Sequence, residues 1–303
     1  MSFEKINSFI CDNNIDCRAE KDYSLSACSS FRIGGACDIA LFPTTAEALV
    51  KTVGFLIENK IKYTVIGNAS NVLFADSGYR GAILFTTDMK TVTEGNGLLI
   101  CDCGTMLAAI AQGCVRKGYS GYAFACGIPG SIGGAVYMNA GAYEGTISNI
   151  LVWSEYYNPD DGKIYRINNE EHEYAYRHSF YMDNNYIILR AAFKLETAKN
   201  PQDELELMND HIKQRNLKQP LEYPSAGSVF KRYPGYYTGQ IIQESGLKGY
   251  SVGGAQVSEK HAGFIINKGG ATARDVLDLI EYIQQVIFEN YGIHLECEIR
   301  YIQ

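Results

Sequence analysis

Histidine is scarce in this 303-residue chain, with five in all, at positions 172, 178, 211, 261 and 294. No HExxH run and no Ser-His-Asp spacing accompanies them, so neither a zinc hydrolase nor a serine-hydrolase triad is indicated. The nine cysteines show no CxxC spacing. Cys101 and Cys103, one residue apart, are too weak a pattern for zinc. An odd number cannot all pair within the chain. Reduced, mostly buried thiols are expected, and no metal site. Positive charge is also in short supply: 27 Lys and Arg stand against 34 Asp and Glu, a formal net charge of −7. That balance excludes a broad attraction to nucleic acid but not a local cationic pocket for phosphate. The N-terminus carries acidic residues early and lacks the apolar run of a secretory signal. One uncharged run, Gly118–Tyr143, is long enough to cross a bilayer. It is broken by glycines and Pro129, and such turn-rich backbone cannot satisfy its own hydrogen bonds in lipid. The expectation is a cytoplasmic protein with no membrane span and no nucleic-acid partner.

What is present fits an ordinary globular chain: 46% of residues are apolar and 20% charged, with length enough for two or three domains. Apolar spacing predicts a helix over 3–14. A buried strand follows the Gly34-Gly35 turn and ends at Pro43, and Thr45 then caps a helix carrying Leu49, Val53, Leu56 and Ile57. A strand over 63–66 leads into the loop GNASN. Strands are predicted over 81–85 and 98–102, then a helix over 105–117 closed by Gly118. The turn NPDDGK joins strands over 147–157 and 164–167 as a hairpin, and another strand covers 186–195. A charged helix over 201–216 leads to a second domain. There a short helix over 238–245 is closed by Gly246, and a long amphipathic helix runs from Thr272 to Gly292. The tail 294–302 alternates like a strand, with Leu295, Cys297, Ile299 and Tyr301 on one face and Glu296, Glu298 and Arg300 on the other. The class is α+β with mixed sheets.

Three small-residue stretches carry the candidate chemistry. Gly67-Asn68-Ala69-Ser70-Asn71 follows a strand and lets backbone N–H groups approach an anion, although an ordinary turn reads the same way. It is neither GxGxxG nor a phosphate loop ending in GK[ST]. In GIPGSIGGAVYMNAGAYEG (127–145), Ser131 caps a helix starting near Ile132. The preceding glycines suit either a phosphate at that N-terminus or tight packing. In PSAGSVFKRYPG (224–235), the Ser228 hydroxyl is followed by Lys231 and Arg232, a set that could serve an anionic substrate, although the residues by themselves favour a solvated loop. Arg177 lies in YRHSF. Glu298 lies on the polar face of the tail, where a salt bridge with Arg300 is the plain alternative.

In order along almost the whole chain, the blocks FRIGGACDIALFP, VIGNASNVLFADSGYRGAI, GIPGSIGGAVYMNAGAY, YRHSF, PSAGSVFKRYPG, GLKGYSVGGAQVSEKHAGFIINKGGATARDVLDLI and LECEIRYI resemble the UDP-N-acetylenolpyruvoylglucosamine reductase family. The short PSAGSVFKR and the overall length resemble its subtype lacking an extra substrate-covering loop. The resemblance implies an FAD-binding domain of the vanillyl-alcohol-oxidase (PCMH) type over 1–205, made of two subdomains about 1–90 and 91–205, and an α+β substrate domain over 206–303. It implies FAD held by Gly67, Asn68, Ala69, Ser70 and Asn71, and by Gly127, Ile128, Pro129, Gly130, Ser131, Gly133, Gly134, Asn139, Ala140 and Gly141. It further implies NADPH as reductant, a UDP-sugar substrate, a monomer, and hydride delivered from N5 of the reduced flavin to the vinyl carbon. Arg177 would meet the developing charge, Ser228 would give the proton, and Glu298, preferred to Glu296 on motif register, would complete the site. Lys231, Arg232 and Gln256 would contact the diphosphate or the substrate carboxylate. Ala69 stands where the family commonly has glycine, and Tyr233 where it commonly has proline. A flavin oxidase of the same class and a non-catalytic UDP-sugar-binding module are the competing readings.

Overall fold

Thr45 ends an extended run and caps the helix Ala46–Glu58, its hydroxyl accepting from the Ala48 N–H at 3.1 Å. Leu49, Val53 and Leu56 recur at helical spacing and are fully buried, whereas Ile57 is left 40% exposed. The strand after this helix, Tyr63–Ile66, runs parallel to Tyr79–Phe85, with Tyr63 opposite Ala82 and Ile66 opposite Phe85. A four-stranded sheet results, ordered Cys17–Ser24, Ala36–Pro43, Tyr79–Phe85, Tyr63–Ile66. The computed structural model describes residues 3–303.

A second sheet is ordered Lys163–Asn168, Leu151–Asn158, Ile187–Lys194, Leu98–Asp102, Val92–Gly95, with every neighbouring pair antiparallel. The expected hairpin closes with Trp153 opposite Asn168 and Asn158 opposite Lys163. Its turn uses Gly162 at φ +72°, a conformation that costs glycine little. The helix Leu107–Arg116 gives way to Gly118 at φ +83°. It begins two residues later than expected, because Met106 is extended and bridged to Ser131 of the glycine-rich stretch.

The third sheet is antiparallel and built from short strands, ordered Ser225–Ser228, Phe264–Asn267, Ala255–Val257, Ser251–Val252. The helix Ala273–Tyr291 packs on it. Thr272 accepts from the Asp275 N–H at 3.0 Å, while the Asp275 carboxylate accepts from the Thr272 N–H at 2.9 Å. Gly292 ends the helix at φ +68°. The tail is not one strand. Arg300–Ile302 pairs in parallel with Val72–Phe74, while Cys297 makes an isolated antiparallel bridge to Phe230. The alternation survives at Leu295 and Ile299, which are buried, but Tyr301 is exposed.

The chain divides into two compact units. The first is Met1–Lys21, Asp38–Asn68 and Gly81–Gln214, and the second is Asp22–Cys37, Ala69–Arg80 and Arg215–Gln303. The segments 22–37 and 69–80, which a single cut near residue 205 leaves in the N-terminal part, cluster with the C-terminal residues. Each unit has its own core. Phe31, Ile33 and Leu73 share one with Ile283 and Ile287, so apolar burial explains the discontinuous division. No helix among the described residues is long and apolar enough to cross a membrane.

None of the nine cysteines is in a disulfide. Burial pushes the Cys17, Cys28 and Cys114 thiols up to about 11 and those of Cys101, Cys103 and Cys126 up to about 12. The thiolate is the reactive form, so these groups are nearly inert at pH 8. Only Cys11 is exposed. Titration of the native protein with a chromogenic disulfide at pH 8 is therefore expected to show one fast thiol, and all nine after unfolding. Several fast thiols in the native state would contradict this packing.

Candidate active site

The loop after Tyr63–Ile66 turns at Ala69, which is 5% exposed and adopts φ +46°. An L-residue pays about 1–2 kcal/mol for this left-handed backbone. The N–H groups of Asn68, Ala69 and Ser70 find no acceptor among the described residues. Successive unpaired N–H groups around a left-handed residue form a concave donor set suited to an anion. Gly67 has a different reason for being glycine: a Cβ there would stand 2.1 Å from Ser131 Oγ and 3.2 Å from Ser131 Cβ. The Asn68 side chain reaches the same neighbourhood, donating to the Pro129 carbonyl at 2.6 Å. The first two glycine-rich stretches are thus packed on one another. Gly67→Ala is expected to lower stability by about 1–3 kcal/mol through overpacking, and to reduce flavin retention. Thermal melting and flavin absorbance after purification check both, and an unchanged melt would contradict the contact.

Ser131 caps the helix Ile132–Tyr137, accepting from the Gly134 N–H at 3.3 Å. The first turn is not available to a phosphate, however. The Ile132 N–H donates to the Thr105 carbonyl at 2.8 Å and the Gly133 N–H to the Cys103 carbonyl at 2.7 Å. A Cβ on Gly133 would lie 2.9 Å from Cys103 Cβ. Of the two readings left open for this helix start, packing accounts for Ser131 and Gly133. Gly134 alone is exposed there. Beside this turn the Thr105 hydroxyl is buried without a partner. Its place in a predicted helix hid it from sequence reasoning.

Asn139 is also occupied within the protein. Its amide donates to the Ala175 carbonyl at 3.1 Å and its oxygen accepts from the Ser148 N–H at 3.1 Å. Both ends of this side chain therefore help hold the loop. The Ala140 N–H and carbonyl are likewise used, by Ala135 and Ile147.

What Asn139 supports is the turn carrying Arg177. Ala175 and His178 exchange both backbone hydrogen bonds at 3.3 Å, making a two-residue turn of Tyr176 and Arg177. Arg177 sits at φ +53°, half-buried, and its Nη2 donates to the Gly141 carbonyl at 2.9 Å. The structure thus brings Arg177 onto the second glycine-rich stretch. Asn139 (φ +46°) and Tyr143 (φ +56°) share the same unfavourable backbone region, and such strain concentrates at functional sites.

In the second unit Ser228 ends its strand opposite Phe264, with an exposed side chain. Its hydroxyl has no hydrogen bond among the described residues. The Glu298 N–H donates to the Val229 carbonyl at 2.7 Å, and Cys297 bridges Phe230. Ser228 and Glu298 therefore stand on adjacent extended segments. Asn71 fixes the second of these, its amide donating to the Glu298 carbonyl at 3.1 Å while its own carbonyl accepts from the Arg300 N–H at 3.1 Å. Glu298 is half-buried and Glu296 exposed.

The nearby cations have partners of their own. Lys231 is paired with Glu296, and the exposed Arg232 lies over the Tyr237 ring at 4.0 Å. Gln256 donates to the Gly249 carbonyl and the Ser251 hydroxyl, both at 3.1 Å, leaving its buried oxygen without a partner.

Residues 219–302 match the family model for the UDP-N-acetylenolpyruvoylglucosamine reductase C-terminal domain, and residues 37–168 match an FAD binding domain model. A UDP-N-acetylenolpyruvoylglucosamine reductase from Clostridium botulinum (strain Eklund 17B / Type B) is 43% identical over 288 residues, 95% of this chain and 94% of its own. One from Listeria monocytogenes serovar 1/2a is 43% identical over 278 residues, 92% of this chain and 93% of its own. The crystal structure of the reductase from Thermus caldophilus matches with a TM-score of 0.81 at 31% identity, covering 95% of this chain and 100% of that one. The fold is α+β, with the FAD-binding domain of the vanillyl-alcohol-oxidase type. The residues present fit that cofactor: the unpaired N–H groups of Asn68 to Ser70 suit phosphate oxygens, and the orphaned Thr105 hydroxyl lies beside the stretch they pack on. On these matches along nearly its whole length, the chain belongs to the UDP-N-acetylenolpyruvoylglucosamine reductase family and is an oxidoreductase.

Proposed function

We propose that this protein reduces UDP-N-acetylglucosamine enolpyruvate to UDP-N-acetylmuramate for peptidoglycan precursor synthesis, with FAD bound and NADPH as reductant. The observation that carries the reading is the placement of an exposed Ser228 hydroxyl, with no hydrogen bond among the described residues, on the segment next to the one that bears Glu298. A binding module has no use for a proton donor held in that way.

The reaction adds a hydride to the methylene carbon of the enolpyruvyl group and a proton to the carbon bearing the carboxylate, while NADPH becomes NADP+. Bound FAD supplies the hydride chemistry between the two. The residues supply the rest. Negative charge develops on the substrate carboxylate as the double bond is reduced. Arg177 is the cation assigned to meet that charge. Ser228 Oγ–H gives the proton to the adjacent carbon, and Glu298 returns a proton to Ser228 after each turnover. The donor loop at Asn68 to Ser70 would hold the cofactor's phosphates.

Incubation with NADPH and the enolpyruvyl UDP-sugar under nitrogen tests this, with mass analysis of the product. A sugar heavier by two hydrogens, matched mole for mole by NADPH consumed, is expected. NADPH consumption that requires oxygen and yields peroxide would assign a flavin oxidase instead.

A further inference from the structure

Ser154 sits within the strand Leu151–Asn158, wholly buried, and has no part in the chemistry above. Its hydroxyl lies 2.7 Å from His172 Nε2 and 2.6 Å from the Tyr181 hydroxyl. His172 Nδ1 lies 2.8 Å from the Asn168 carbonyl oxygen. A carbonyl only accepts, so Nδ1 carries the proton and Nε2 is the acceptor. Ser154 then donates to His172, and its oxygen receives the Tyr181 hydroxyl. The chain of bonds has a single direction. Ser154, His172 and Tyr181 are each 0% exposed, so no substrate reaches the Ser–His contact and it is not a nucleophile with its base.

The geometry shows what the chain holds. Residues 172–181 leave Ser154's neighbourhood and return to it, so both ends of the excursion close on one hydroxyl. Along the way Tyr174 stacks on His172 at 4.9 Å, and the Ser179 hydroxyl donates to the Tyr137 carbonyl. Arg177 is at the tip, in its strained backbone conformation. A strained conformation persists only where its surroundings over-determine it. Apolar packing alone preserves a fold while losing uniqueness, whereas a fully satisfied, directed polar chain rigidifies and specifies one arrangement.

We propose that the Tyr181–Ser154–His172 chain is the positioning device of the Arg177 turn, and that these three are positioning residues rather than catalytic ones. The proposal rests on the reading of Arg177 given above. Ser154→Ala leaves His172 Nε2 and the Tyr181 hydroxyl buried without partners. It is expected to lower kcat by roughly 10–100-fold, the scale of a small misplacement of a catalytic group, with KM and FAD content little changed. Tyr181→Phe removes one link and is expected to cause a smaller fall of the same kind. Ser154→Ala, His172→Phe and Tyr181→Phe together remove every polar group of the chain, so the melting temperature should recover without kcat. If kcat returns along with the melting temperature, the chain is merely structural and the proposal is overturned. Arg177→Lys, measured alongside, separates the two ideas. If it keeps full kcat, the reading of Arg177 fails. If it loses kcat while Ser154→Ala keeps it, the positioning proposal alone fails.

Discussion

Ser228→Ala is expected to lower kcat about 10²–10⁴-fold, the usual worth of a positioned proton donor, with flavin content and the rate of flavin reduction by NADPH unchanged. The separation follows from where Ser228 is. It lies on a short strand of the second unit, outside both glycine-rich stretches, and its side chain makes no hydrogen bond among the described residues. Removing the hydroxyl leaves no buried partner unsatisfied, so the free energy of unfolding should hold within about 0.5 kcal/mol of wild type. Stopped-flow absorbance resolves the two half-reactions. Full turnover of the enolpyruvyl sugar by this variant would remove Ser228 from the chemistry. It would leave only the cofactor assignment standing.

Arg177→Ala is expected to cost about 10²–10³ in kcat, or roughly 2.7–4 kcal/mol, the range for losing one fixed donor to a developing oxyanion. Arg177 also donates to the Gly141 carbonyl, so some loosening of the glycine-rich stretch accompanies the substitution. Arg177→Gly isolates that effect. Glycine adopts φ +53° freely, which relieves the strain, yet it supplies no charge. Both variants should therefore share the loss in kcat while the glycine variant melts higher than the alanine one. Arg177→Lys restores a point charge without the planar fork and should recover only part of the rate. A glycine variant with wild-type kcat would show that the residue serves the turn and not the reaction.

How much of this was legible in the chain depended on the range of the interactions. Thr45, Thr272 and Gly292 announce helix ends because caps are local: each acts within about one turn of its own position. The strand Cys17–Ser24 gave no signal, since its side chains do not alternate between buried and exposed. The short strands Ser251–Val252 and Ala255–Val257 are too brief for any period to show. Phe31 and Leu73 look like members of the N-terminal part until the apolar face of Ala273–Tyr291 gathers them. At the site, Ser228 and Glu298 are 70 residues apart, and the motifs named both. What the motifs could not show is that the helix start at Ser131 spends its N–H groups on Thr105 and Cys103, that Asn139 serves the Arg177 turn, or that the Gln256 amide points its donors inward. Each of these depends on a partner supplied by a distant segment.

The most direct test of the central claim is the visible spectrum of the purified protein under nitrogen, first with NADPH and then with the enolpyruvyl UDP-sugar. The account expects flavin absorbance that bleaches with NADPH and returns only when the sugar is added. A colourless protein that takes up no FAD, or a bleached one that the sugar fails to reoxidise and oxygen restores, would contradict it.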